Sequence, residues 1–221
     1  MGRPSGASGA VAGNVMRILA VSDLHLDAQH RQTLLNHARE ADLVIVAGDL
    51  GQRRQGLAEY LGPMEGIAAK TIVVPGNNET EAELRAAIPA TVLHGQTTVS
   101  NGMCVAGLGG AVPPLPPLPW GSFDLTEDEA AEQLRRAGPA DILVSHSPPK
   151  GCGDWHSRRG NIGSEAILDY ARRVQPKLIL CGHVHDSWGW RGTIGTTRVA
   201  NLGPVPVWFD TDDWEKGSCP A

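Results

Sequence analysis

RILAVSDLHLD, Arg17–Asp27, runs five mainly apolar, strand-forming residues into a polar exit where an aspartate and a histidine stand two apart. The same form recurs four times: LVIVAGD at 43–49, TIVVPGNN at 71–78, DILVSH at 141–146 and LILCGHVH at 178–185. Short, continuous apolar runs bounded by Gly, Pro, Asn or Asp predict strands buried on both faces. The first three alternate with helical patterns near 29–40, 55–68 and 80–87, which predicts βαβ units around a largely parallel sheet. After Pro89, TVLHG, TTVSNG and MCVAGLGG are punctuated by Gly and Asn-Gly, so antiparallel hairpins and the start of a second sheet are expected there. LTEDEAAEQLRRAG at 125–138 predicts a helix with Thr126 as N-cap, acids in its first turn and Gly138 at its end. GSEAILDYARRV at 163–174 predicts another. WGWRGTIG, TTRVANLG and VPVWFD are expected as turn-rich strands, with Trp188 and Trp190 sharing one core-facing strand face.

Composition bounds the function. With 221 residues, 41% of them hydrophobic, the chain can bury the core of one domain, expected over 16–221. The Gly-rich stretch 1–15 reads as a flexible tail without a signal-peptide core, and Met16 is a candidate native start. No apolar run reaches the roughly 18 residues of a membrane span. A net charge of −5 with scattered Arg pairs gives no footprint for nonspecific nucleic-acid binding. Four cysteines without CxxC spacing predict reduced thiols and a cytoplasmic protein.

Ligands of open α/β sheets bind beyond the carboxyl ends of the strands. Those exits carry Asp23 and His25, Asp49, Asn77, His146, and His183 and His185. In an extended chain residues two apart point the same way, so each close pair can grip one ion. A single D-x-H or G-D is an ordinary turn, but seven O and N donors at five successive exits would be a costly set of buried polar groups unless cations neutralised them. An O/N set without thiolate suits Mn²⁺ first, with Fe, Zn²⁺, Co²⁺ or Ni²⁺ as alternatives.

DLHLD at 23–27, GDL at 48–50, GNNE at 76–79, SHSPP at 145–149 and GHVH at 182–185 together resemble the five blocks of the calcineurin-like metallophosphoesterases, in order and over nearly the whole chain. The resemblance implies an α/β fold, a four-layer α/β/β/α sandwich of two mixed sheets flanked by helices. It also implies two divalent transition-metal ions, one on Asp23, His25, Asp49 and His185 and the other on Asp49, Asn77, His146 and His183, with Asp49 bridging. A hydroxide between the ions would be the nucleophile that hydrolyses a phosphoester. The family pattern most often has a histidine after the metal-binding asparagine, where this chain has Asn78. An amide can donate a hydrogen bond to the phosphoryl group but cannot deliver a proton, so Asn78 is the second candidate catalytic residue beside Asp49. Because some small family members lack this histidine and still cleave phosphodiesters, hydrolysis of small or nucleotide-like diesters is the leading expectation. A phosphomonoesterase, a nuclease and a scaffold that keeps the fold without the chemistry are the alternatives. His156, Arg158 and Arg159 lie in the loop after His146 and are candidate substrate contacts, while His30, His37 and His94 have no placement that recommends them. VPPLPPLPW at 112–120 is expected to form a stiff loop near the site mouth. The partner expected is a small phosphoester substrate, and the oligomeric state is open.

Overall fold

The computed structural model describes residues 15–211. The expected tail over 1–15 therefore lies, save Val15, outside the described residues. In chain order the elements are β1 (Arg17–Val21), α1 (Ala28–Ala38), β2 (Leu43–Val46), α2 (Leu57–Leu61), β3 (Thr71–Val73), α3 (Glu81–Ala87), β4 (Thr91–Val92), β5 (Gln96–Ser100) and β6 (Met103–Leu108). They continue with α4 (Glu127–Ala137), β7 (Ile142–Ser145), the short hairpin β8 (Trp155–His156) and β9 (Gly160–Asn161), α5 (Glu165–Val174), β10 (Leu178–Cys181), β11 (Arg191–Ile194), β12 (Thr197–Asn201) and β13 (Val207–Asp210).

Two mixed sheets result. The first has strand order β13-β1-β2-β3-β4, parallel except for β13, and the second has order β11-β12-β10-β7-β6-β5, parallel except for its edge strands β5 and β11. Strand alternation builds three apolar layers. Ile18, Ala20, Ile45 and Ile72 of the first sheet meet Val105, Val144 and Leu180 of the second. Their neighbours Leu19, Val21, Val44 and Val46 face outward onto Leu34, Leu61 and Leu84 of α1–α3. On the opposite side, Leu143 and Ile179 pack against Leu134, Ile167 and Ala171 of α4 and α5. Each central strand is buried on both faces, which is why it reads as an unbroken apolar run. The four-layer α/β/β/α sandwich is thereby present.

Three local expectations are corrected. The helix expected over 55–68 is α-helical only at α2 and continues as a 3-10 helix, Gly62–Lys70, because Pro63 lacks an N–H donor and Gly62 and Gly66 disfavour α-helix. TVLHG does not open the second sheet: β4 pairs parallel with β3 (Ile72↔Thr91, Val73↔Val92) and completes a third βαβ unit, so the second sheet starts at β5. Cys104 is disulfide-bonded, whereas Cys152 and Cys181 are free. Spacing in sequence misses such a bond because a disulfide depends on proximity in space. No helix among the described residues is long and apolar enough to cross a membrane.

Candidate metal centre

The exits of β1, β2, β3, β7 and β10 converge and bring all seven expected donors together. Asp23, His25 and His185 offer ligand atoms within 4.8 Å of one another, and so do Asp23, Asp49 and His146. Asp49, of the second group, also approaches the first: its Oδ2 lies 3.6 Å from His146 Nε2 and 3.8 Å from His25 Nε2. Asn77 Oδ1 faces His146 Nε2 at 3.2 Å and His183 Nδ1 at 3.1 Å. His25 and His185 approach through Nε2 atoms 3.2 Å apart.

The route by which these side chains converge differs from the extended geometry expected. Asp23 (φ 55), His25 (φ 44), Asp49 (φ 56) and His183 (φ 67) are all left-handed, so tight turns aim them. Such conformations cost on the order of 1–3 kcal/mol each and persist where the surroundings over-determine them. Two glycines make room: a Cβ on Gly76 would fall on the Asp49 carboxylate, and one on Gly182 on Asp23 and Ser22.

The donor set fits divalent cations. His146 Nδ1 lies 2.8 Å from the Ala47 carbonyl, which only accepts, so Nδ1 carries a proton and Nε2 is turned toward Asp49 and Asn77. Around Nε2 the acceptor oxygens of Asn77 (3.2 Å) and Asp49 (3.6 Å) crowd together, an arrangement that positive charge, on the ring or as a bound cation, relieves. The charges respond to one another. Burial opposes ionisation of Asp23, yet the His185 hydrogen bond, the His146 charge and the Ser22 hydroxyl outweigh it and hold the carboxyl well below the usual range. Burial also disfavours charge on His146, but Asp49 and Asp23 raise its pKa. Burial, and then His146, push His183 down to about 3.

Asn78 is placed differently from its expected role. Its backbone N–H donates to Asp49 Oδ1 (2.9 Å), its Nδ2 donates to Asp49 Oδ2 (2.8 Å), and its Oδ1 accepts from the Arg53 N–H (2.8 Å). The amide is thus committed to Asp49. Of the loop candidates, His156 and Arg159 line a cavity of about 250 Å³ with His183 and His185, whereas Arg158 does not line it.

Three supporting residues escaped the sequence reading. Trp188 is not core: it is 38% exposed, its indole N–H donates to Asp23 Oδ2 (3.1 Å), and its ring lies 4.3 Å from that of His185. Trp190 does pack, partly buried, against the outer core of the second sheet. Glu79 accepts from the Gly51 and Gly76 N–H groups (both 2.8 Å) and joins two of the converging turns; burial and the Asp49 charge push its pKa up to about 7. The fourth position of GNNE was its only sequence signal. Asn201 donates to the carbonyls of Gly182 (3.3 Å) and Val184 (3.2 Å) and fixes the turn carrying His183.

Fold and donor set together define a phosphoester-hydrolase architecture. The profile of the calcineurin-like phosphoesterases matches residues 16–187, and the chain belongs to that family. It is 29% identical over 211 residues to the 3',5'-cyclic adenosine monophosphate phosphodiesterase CpdA of Escherichia coli, covering 82% of this chain and 75% of that protein. Among solved structures, a Thermus thermophilus protein superposes with a TM-score of 0.67 at 20% identity, covering 86% of this chain and 90% of the other. A dimetal phosphatase from Danio rerio does so with a TM-score of 0.55 at 14% identity, over 86% and 88%. At those identities the structural likeness concerns the fold.

Proposed function

We propose that this chain is a metal-dependent phosphodiesterase of small or nucleotide-like esters with a dinuclear centre, Mn²⁺ being the first metal to test. The observation that carries the reading is the convergence of seven O and N donors from both sheets: five form two groups that share Asp23, and Asn77 and His183 adjoin them through His146 and each other. Asp23, His25, Asp49 and His185 would hold one ion, and Asn77, His146 and His183 the other, with Asp49 reaching both. When bound, such ions supply Lewis-acid charge for the phosphoryl group and bring a water's pKa toward neutrality.

The chain's own groups do the rest. Ala47 fixes the His146 tautomer, Asn78 holds both oxygens of Asp49, and Trp188 holds Asp23. Arg159 and His156 are set to orient a phosphoryl oxygen at the cavity wall. With its amide spent on Asp49, Asn78 brings no proton to the leaving oxygen, so the rate should depend steeply on leaving-group acidity. The diester preference is supported by the likeness to CpdA. The test is a panel of bis-p-nitrophenyl phosphate, p-nitrophenyl phosphate and cyclic nucleotides, each with several metals. Faster turnover of diesters than of the monoester is expected, and the reverse order would overturn the reading.

A further inference from the structure

A second concavity, about 910 Å³, opens beside the centre between the turn after Asp49 and the proline-rich loop. Leu26, the residue after His25, lines one end; Gln52, Arg53 and Gln55 form one wall, and Leu118 and Trp120 the other. The walls are tied together. Arg54 Nη1 donates to the Gly121 carbonyl (3.2 Å) while the same guanidinium pairs with Glu83 (2.8 Å), and the Phe123 N–H donates to the Asn77 carbonyl (3.0 Å). The cleft is therefore preformed. It is also joined to the centre, because the Arg53 N–H holds Asn78 and Asn78 holds Asp49 (2.8 Å each). Leu115, farther back on the same loop, borders the cavity of His183 and His185, so one loop overhangs both spaces.

We propose that this cleft is the subsite for a nucleobase at one end of the ester, an inference that rests on the phosphodiesterase reading. An indole offers a face on which any base can stack. A guanidinium can stack or donate in its plane, and two primary amides each bring donors and an acceptor to a base edge. Among the described residues, the side chains of Gln52, Arg53 and Gln55 have no hydrogen-bond or ion-pair partner and are free to read a ligand. A lipid chain would leave these polar groups unpaired on burial. Among the described residues lining the cleft Arg53 is the one guanidinium, too little charge for a polyanion.

Binding separates this proposal from the catalytic reading. The manganese-loaded protein is titrated calorimetrically with 5'-AMP and with ribose 5-phosphate, which lacks the base. Stacking on one aromatic ring predicts AMP binding tighter by about tenfold or more. In Trp120→Ala and in Arg53→Ala the ratio of the two affinities should fall toward one. Equal affinities in the native protein overturn the subsite, and so does a variant that weakens both ligands alike, since the wall would then be only structural. An AMP preference lost in Trp120→Ala, in a protein that cleaves no phosphodiester, would uphold the subsite and sink the catalytic reading alone.

Discussion

Asp49 is held from two sides: Asn78 donates to both of its oxygens, and His25 and His146 face Oδ2. Asp49→Ala should therefore empty both proposed metal positions, whereas Asn77→Ala and His185→Ala each weaken one. Elemental analysis of the loaded variants checks this, and equal metal content in all three would remove Asp49 as the shared ligand. The Asn78 clamp has a consequence of its own. Asn78→His, which restores the common family residue, should weaken metal binding by about 10–100-fold, because an imidazole cannot reproduce an amide bonded to both Asp49 and Arg53. Calorimetric metal titration reads that change; unchanged affinity with faster cleavage of poor leaving groups would mean the clamp is dispensable. Trp188→Phe keeps a ring against His185 but removes the donor to Asp23, and a loss within the same 10–100-fold range is expected. The seven donors were legible because each follows an apolar run. Trp188 was not, since alternation from 188 onward presumed a strand that begins only at Arg191.

At the scale of elements, legibility followed burial. The central strands, apolar on both faces, matched their sequence runs within a residue or so, while β4, two residues long, gave no sign of which sheet it joins. The marked N-cap of α4 was also readable. The Thr126 hydroxyl and Glu129 form a reciprocal capping box, and Thr126→Ala should lower stability by about 1 kcal/mol, read as a shifted urea midpoint. His94 had no sequence signal, yet it links two strand exits: its Nδ1 accepts the Gly109 N–H (3.1 Å). Burial, aided by Arg136 and opposed by Glu81, holds its pKa below 6.5. The folded state therefore binds fewer protons than the unfolded one, and this contribution is present above about pH 6.5 and lost as pH falls below it. Between pH 7.5 and 5.5 the native protein should lose more stability than His94→Asn, whose amide oxygen can still accept from Gly109. Equal losses would show that His94 titrates as in the unfolded chain.

Across the whole molecule, the proposed ligands belong to both sheets: Asp23, His25, Asp49 and Asn77 follow strands of the first, His146, His183 and His185 strands of the second. The order of the five blocks made this convergence legible. The cleft of Arg53 and Trp120 was not legible, because it depends on how two loops far apart in sequence are tied by Arg54. Ions bound between the sheets would link the two layers through buried carboxylates that otherwise sit close together. At a free metal concentration of 100 times Kd, each site should add about 2.7 kcal/mol to stability. For a chain of this size that corresponds to a rise in melting midpoint of about 5–10 °C. Stripping with a chelator should reverse it and abolish turnover together. Elemental analysis of the loaded protein should give close to two ions per chain, and in Asp49→Ala the thermal shift should vanish with the metal. A stoichiometry of one or none would defeat the dinuclear centre, and a full complement of metal without any change in the melting midpoint would mean that the ions do not brace the two sheets.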